Sequence, residues 1–120
     1  MKRDWEVIRD ILIKTEQLKP GKTLDLEHFD EDKHATYSYH VELMDGAGLL
    51  NVTITKDMSL EPNSFFIMGM TWSGHELLDA IKNDTVWKKT KKAFKENGIS
   101  MTIELVKTMA IDMTKSLLNG

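Results

Sequence analysis

Five lysines in eight residues, Lys88-Lys89-x-Lys91-Lys92-x-x-Lys95, are the densest chemical signal in this 120-residue sequence. Ammonium groups at that spacing could neutralise the phosphates of a nucleic-acid backbone or meet an acidic protein surface. Trp87, Thr90 and Phe94 recur at helical spacing between them, so a helix that buries those three turns most of the lysines outward. The other explanation of such a run is a solvated face that serves solubility alone.

A second set of polar residues lies upstream. On a helix over 36–45, Thr36, Ser38 and Tyr39 point away from the apolar stripe, together with Glu42. Hydroxyl and phenol groups can hydrogen-bond to base edges in the major groove of double-stranded DNA. The surrounding charge opposes this, because Asp30, Glu31, Asp32, Glu42 and Asp45 outnumber the single Lys33. A packed helix with a solvated acidic face accounts for the same pattern.

Metal chemistry finds less support. His75-Glu-Leu-Leu-Asp79 puts two ligand types at i and i+4, as in a zinc-protease helix, but the second histidine is missing and no third ligand is identifiable. A hydrogen-bonded histidine at a helix N-terminus, near Trp72, explains it. The acidic run through Asp25, Glu27, Asp30, Glu31 and Asp32 lacks the central glycine and terminal glutamate of a calcium loop, and helix capping explains it better. His28, His34 and His40 form no ligand spacing. The chain has no cysteine, which excludes a thiolate zinc site, a cysteine nucleophile and a disulfide framework. No glycine-rich phosphate loop or nucleophile elbow occurs. No metal, no cofactor and no enzymatic activity are expected.

The elements that must position these residues follow from periodicity. Asp4 can cap a helix over 4–18 with Trp5, Ile8, Ile11, Leu12 and Leu18 on one side, and Lys19-Pro20-Gly21 ends it. Leu24 and Leu26 alternate in a short extended piece. A helix over about 31–47 carries a stripe of Tyr37, His40, Val41, Met44 and Ala47, closed by Gly48. Gly46 should fray its last turn by roughly 1 kcal/mol relative to alanine. Leu50, Val52 and Ile54 then alternate with Asn51, Thr53 and Thr55 as a half-buried strand, Lys56 to Asn63 forms a hairpin tip, and 64–70 returns. Thr71 caps a helix from Trp72 through Leu77, Leu78 and Ile81, and Asp84 or Thr85 recaps the lysine helix. The last helix starts near Ser100 or Thr102 with a seam of Val106, Met109, Met113 and Leu117, widened by Ile103, Leu105, Ala110 and Ile111. That band suits either packing onto the first helix or a homodimer interface.

Composition agrees with a folded chain, at 41% hydrophobic and 29% charged residues. The net charge of −3 is unevenly spread: residues 1–47 hold seven basic and eleven acidic side chains, whereas 82–98 hold six lysines against two acids. The N-terminus is too charged for a secretory segment, and no apolar run approaches the roughly 18–20 residues of a membrane span. A soluble, cytoplasmic protein without membrane contact is expected. The element order predicts an α+β fold of winged-helix type in a single domain over 1–120, with a core at 1–71 and a helical extension at 72–120. There is little room between Pro20 and Asp30 for the usual second helix of a helix-turn-helix.

Two resemblances bear on this. Residues 37–50 resemble the recognition helix and first wing strand of bacterial winged-helix regulators, which often read Ser-x-His-Leu-x-x-Leu-x-x-Ala-Gly-Leu; Ser38, His40, Val41, Met44, Ala47, Gly48 and Leu49 match. Over nearly the whole chain, the opening Met-Lys-Arg-Asp-Trp-Glu-Val-Ile-Arg, the Tyr-His-Val-x-Leu-Met core, Met70-Thr-Trp-Ser-Gly-His-Glu-Leu-Leu-Asp-Ala-Ile81 and Asn83-Asp-Thr-Val-Trp87 resemble a small bacterial and phage-associated family of unknown function. That resemblance implies the fold and a prophage setting, and no catalytic residues. The function expected is a DNA-associated regulatory or accessory role. The alternative is a protein-interaction module, with a host or phage protein as partner, that kept the scaffold without DNA binding.

Overall fold

The computed structural model describes residues 1–56 and 62–120 as a mixed α+β chain. It divides into two compact units, Met1–His75 and Glu76–Gly120.

In the first unit, α1 (Trp5–Glu16) starts at Asp4, whose carboxylate accepts from the Glu6 N–H at 2.9 Å. It buries Trp5, Ile8, Ile11, Leu12 and Thr15, the spacing of one helical face. The Thr15 hydroxyl is satisfied by donating to the Ile11 carbonyl at 2.7 Å. Strand β1 is only Leu24–Asp25. Leu26, expected in the extended piece, instead opens a 3-10 turn over Leu26–His28. The reason is capping: Asp25 accepts from the Glu27 N–H at 2.9 Å, while His28 Nδ1 accepts from the Asp25 N–H at 3.0 Å. A second 3-10 turn, Glu31–Lys33, leads into α2 (His34–Gly46). The acids at 30–32 thus stand where a helix N-terminus favours negative charge.

Gly48, in the left-handed region at φ 74°, turns the chain from α2 into β2 (Leu50–Thr55). Ala47 forms the cap of α2 and is exposed, which removes it from the expected apolar stripe. Strands β2 and β3 (Ser64–Met70) pair antiparallel from Leu50↔Met70 to Thr55↔Ser64, with a bulge between Asn51 and Val52. Of the expected hairpin tip, residues 57–61 lie outside the described residues. β1 joins the other side of β3, giving the order β1-β3-β2. Leu50, Phe65, Ile67 and Met70 are buried, whereas Asn51, Thr53, Thr55, Phe66 and Met68 are exposed. One face of the sheet therefore covers the core on which α1 and α2 also pack.

Helix α3 (Trp72–Ile81) begins at the point where α2 gives way to β2. The Thr71 N–H donates to the Leu49 carbonyl at 3.1 Å and its hydroxyl to the Gly48 carbonyl at 2.6 Å. The same hydroxyl accepts from the Gly74 N–H at 3.1 Å, capping the helix. A Cβ at position 74 would stand 2.2 Å from the Leu49 carbonyl oxygen, so only glycine fits.

The second unit contains the rest of α3, then α4 (Asp84–Asn97) and α5 (Ile103–Leu118), which pack together. Leu77, Leu78 and Ile81 are fully buried, as the stripe from Trp72 anticipates; Trp72 itself is 80% exposed. It occupies the first turn, on the other side of the helix from those residues.

Gly74→Ala should lower stability by roughly 3 kcal/mol, because the collision is with backbone that cannot step aside. Gly46→Ala, with nothing within 4 Å of the added methyl, should raise it by about 0.5 kcal/mol. Urea titration of the two variants beside the parent checks both signs.

Candidate nucleic-acid interface

Helix α4 is laid out by its cap and its buried side. The Asn83 side chain accepts from the Val86 N–H at 3.0 Å. Val86, Trp87, Thr90 and Phe94 are buried, and the Thr90 hydroxyl is hidden by donating to the Val86 carbonyl at 2.7 Å. Lys88, Lys89, Lys92 and Lys95 are all exposed on the other side. Three of them, at i, i+4 and i+7, make one stripe along the helix, with Lys89 beside it. Lys91 is half-buried and holds its ammonium 5.4 Å from the Trp87 ring centre. Lys92 approaches Glu96 at 3.8 Å with both side chains largely in solvent. A pair that exposed is weak and can be exchanged for a phosphate.

The upstream set does not form a comparable face. Ser38 is a correction: it is 5% exposed and donates to the Asn63 carbonyl at 2.8 Å, so it cannot reach a base edge. Helix α2 is packed by α1 on one side and by the hairpin on the other, which widens its buried arc beyond a single stripe. Thr36 and Tyr39 are half-buried, and the Tyr39 ring stands edge-on to His40 at 5.4 Å. Glu42 accepts from Asn63 Nδ2 at 2.8 Å, with Lys56 at 3.9 Å. Asp30, Glu31, Asp32 and Asp45 are exposed. The residues at 36–39 belong to the first unit and the lysines to the second.

His40, on the expected apolar stripe, is fully buried and structural. Its Nδ1 lies 2.7 Å from the Thr36 carbonyl, which can only accept, and its Nε2 accepts from the Asp4 N–H at 2.8 Å. The ring is therefore neutral with its proton on Nδ1, and it ties the cap of α1 to α2. A second tie was not apparent from local spacing. The Tyr37 phenol donates to Asp10 Oδ2 at 2.5 Å, while Lys14 reaches Asp10 Oδ1 at 2.6 Å. Phe29 stacks on Tyr37 with ring centres 4.3 Å apart. Only the Asp10–Lys14 pair, at i and i+4, is visible in the sequence. Burial, and then the Asp10 carboxylate beside it, hold the Tyr37 phenol well above its ordinary value.

His75 and Asp79 are both exposed on α3. Among the described residues no three histidine, aspartate or glutamate side chains converge on a point where a metal could bind. On α5, Val106 is another correction: it is fully buried and cannot belong to an exposed seam. Met109 and Met113 are half-buried and Leu117 is exposed, while Leu105, Ile111 and Leu118 present more apolar surface to solvent. The band is wider than one helical face, and the side taken up within the fold runs through Val106 and Ala110. Among the described residues no helix is long and apolar enough to cross a membrane.

Comparison with known proteins agrees with the whole-chain resemblance. Residues 2–100 match the family described as "Hypothetical protein (DUF2513)". This chain belongs to that family. A DUF2513 chain of this kind is similar to an uncharacterized protein of Haemophilus influenzae, 35% identical over 119 residues, which are 98% of this chain and 99% of the relative. A stretch of 72 residues, 60% of the chain, is 28% identical to a segment making up 2% of the probable polyketide synthase 3 of Dictyostelium discoideum. No solved structure matches.

The Tyr37–Asp10 contact gives a signed pH dependence for this DUF2513 chain. The native phenol stays protonated where an unfolded one, with its ordinary value of 10.0, ionises. Its contribution is therefore whole below that value and is lost progressively as pH rises above it. Tyr37→Phe should be less stable than the parent by about 2 kcal/mol at neutral pH. The difference should shrink between about pH 10 and 12, read from denaturant titrations across that range.

Proposed function

We propose that this chain is a nucleic-acid-associated protein with a winged-helix scaffold, acting in a regulatory or accessory role in a bacterial or prophage setting. The order α1, β1, α2, β2, β3 and the sheet order β1-β3-β2 support the scaffold. The two 3-10 turns stand where a helix-turn-helix would have its second helix. The observation that carries the function is the outward stripe of Lys88, Lys92 and Lys95 with Lys89 beside it. Residues 76–120 hold eight basic and six acidic side chains, whereas 1–75 hold eight and thirteen. In this reading α4 tracks phosphates, and any base contact left to α2 comes from Thr36 and Tyr39.

One observation favours a second reading, a protein-interaction module without nucleic-acid binding. The exposed acids of α2 and of the turn before it repel the backbone that a recognition helix must approach.

Fluorescence anisotropy of a labelled random duplex separates the two. With four lysines on phosphates, affinity should fall on the order of 100-fold between roughly 50 and 200 mM salt. Lys88→Glu combined with Lys92→Glu should abolish binding without unfolding the chain. Absence of binding at the lower salt would select the protein-interaction module.

A further inference from the structure

The second unit carries a groove that nucleic-acid binding leaves unused. It has a volume of about 330 Å³ and lies between α3, which supplies Glu76, Asp79 and Ala80, and α5, which supplies Lys107, Ile111 and Lys115. Glu76 and Lys107 approach each other at 3.7 Å within the chain. Asp79 and Lys115 line the same walls further along their helices, and neither has an ion-pair partner among the described residues. Ile111 is 45% exposed, and Leu118, two helical turns on along the same side of α5, is 80% exposed.

We infer that this groove is the contact surface for a second copy of the chain. A two-fold dimer joins one patch to itself, so the patch must be its own complement. A groove acidic along one wall and basic along the other satisfies this when the two-fold axis runs along the groove. That rotation lays the Asp79 wall of each copy on the Lys115 wall of the other, forms the charge contact twice, and sets the exposed Ile111 of each copy against the Ala80 wall of the other. An axis across the groove would set acid on acid and is disfavoured by like-charge repulsion. The seam differs from the one expected at Val106, Met109, Met113 and Leu117, since Val106 is buried within the fold.

Sedimentation velocity of the full chain, without nucleic acid, tests this independently of the DNA reading. The parent should sediment at twice 13.8 kDa at high micromolar concentration. Asp79→Lys alone and Lys115→Glu alone should each lose the dimer, because each sets like charges together twice. Mixing those two variants should restore it as a heterodimer, and so should the double variant D79K/K115E. Both positions are solvent-facing, and circular dichroism checks that each variant is folded. A parent that stays at 13.8 kDa, single reversals that leave the dimer intact, or a mixture that fails to restore it would each overturn the inference.

Discussion

The carbonyl oxygen of Leu49 leaves room at position 74 for a hydrogen atom and nothing larger. Four elements of the first unit meet around that contact: α2 ends, β2 starts, β3 finishes and α3 begins. Thr71 serves the meeting twice over, with its backbone on Leu49 and its hydroxyl on Gly48 while also capping α3. Buried backbone groups need partners, and at a corner where two loops leave regular structure those partners must come from each other. The block Thr71-Trp-Ser-Gly-His-Glu76 is therefore intelligible as architecture. Its threonine and glycine build the corner, and its leftover groups, Trp72 and His75, face solvent.

The remaining long-range ties in that unit obey the same logic. His40 could have been a liability in the core, but each ring nitrogen has one partner and the neutral form suffices. Asp10 would be costly at a packed helix face without the phenol of Tyr37 and the ammonium of Lys14. Both groups link α1 to α2, so the two helices are held by specific polar contacts as well as by Ile8, Ile11, Leu12, Val41 and Met44.

Much of the architecture was legible because it is written in short-range periodicity. The stripe of α1, the alternation of β2 and the amphipathic α4 each repeat a pattern that one face of one element must satisfy. Misplaced residues share a different property: their environment is decided by something far away in sequence. Ser38 is buried because Asn63, 25 residues on, offers it a carbonyl. Leu26 leaves the strand because Asp25 finds a better role as a cap. Val106 disappears into the fold because a wide apolar band does not reveal which part of it is covered. The outward lysines of α4 were readable, since a helix that buries Trp87, Thr90 and Phe94 has one outer side. Which residues of α2 face solvent was not, since a helix enclosed on two sides has no single stripe.

The proposed function rests on where the charge lies. The helix that a winged-helix comparison would send into a DNA groove is edged with acids, and the densest run of exposed lysines stands on α4. On the proposed function, the main nucleic-acid contact is therefore with α4, and Thr36 and Tyr39 of α2 have at most a secondary one. Amide chemical-shift mapping of the labelled chain with a short duplex at low salt tests this most directly. Perturbations largest at the amides of residues 88–95, with any at residues 36–39 smaller, are the predicted result. Shifts centred on residues 36–39 with α4 unmoved would contradict it.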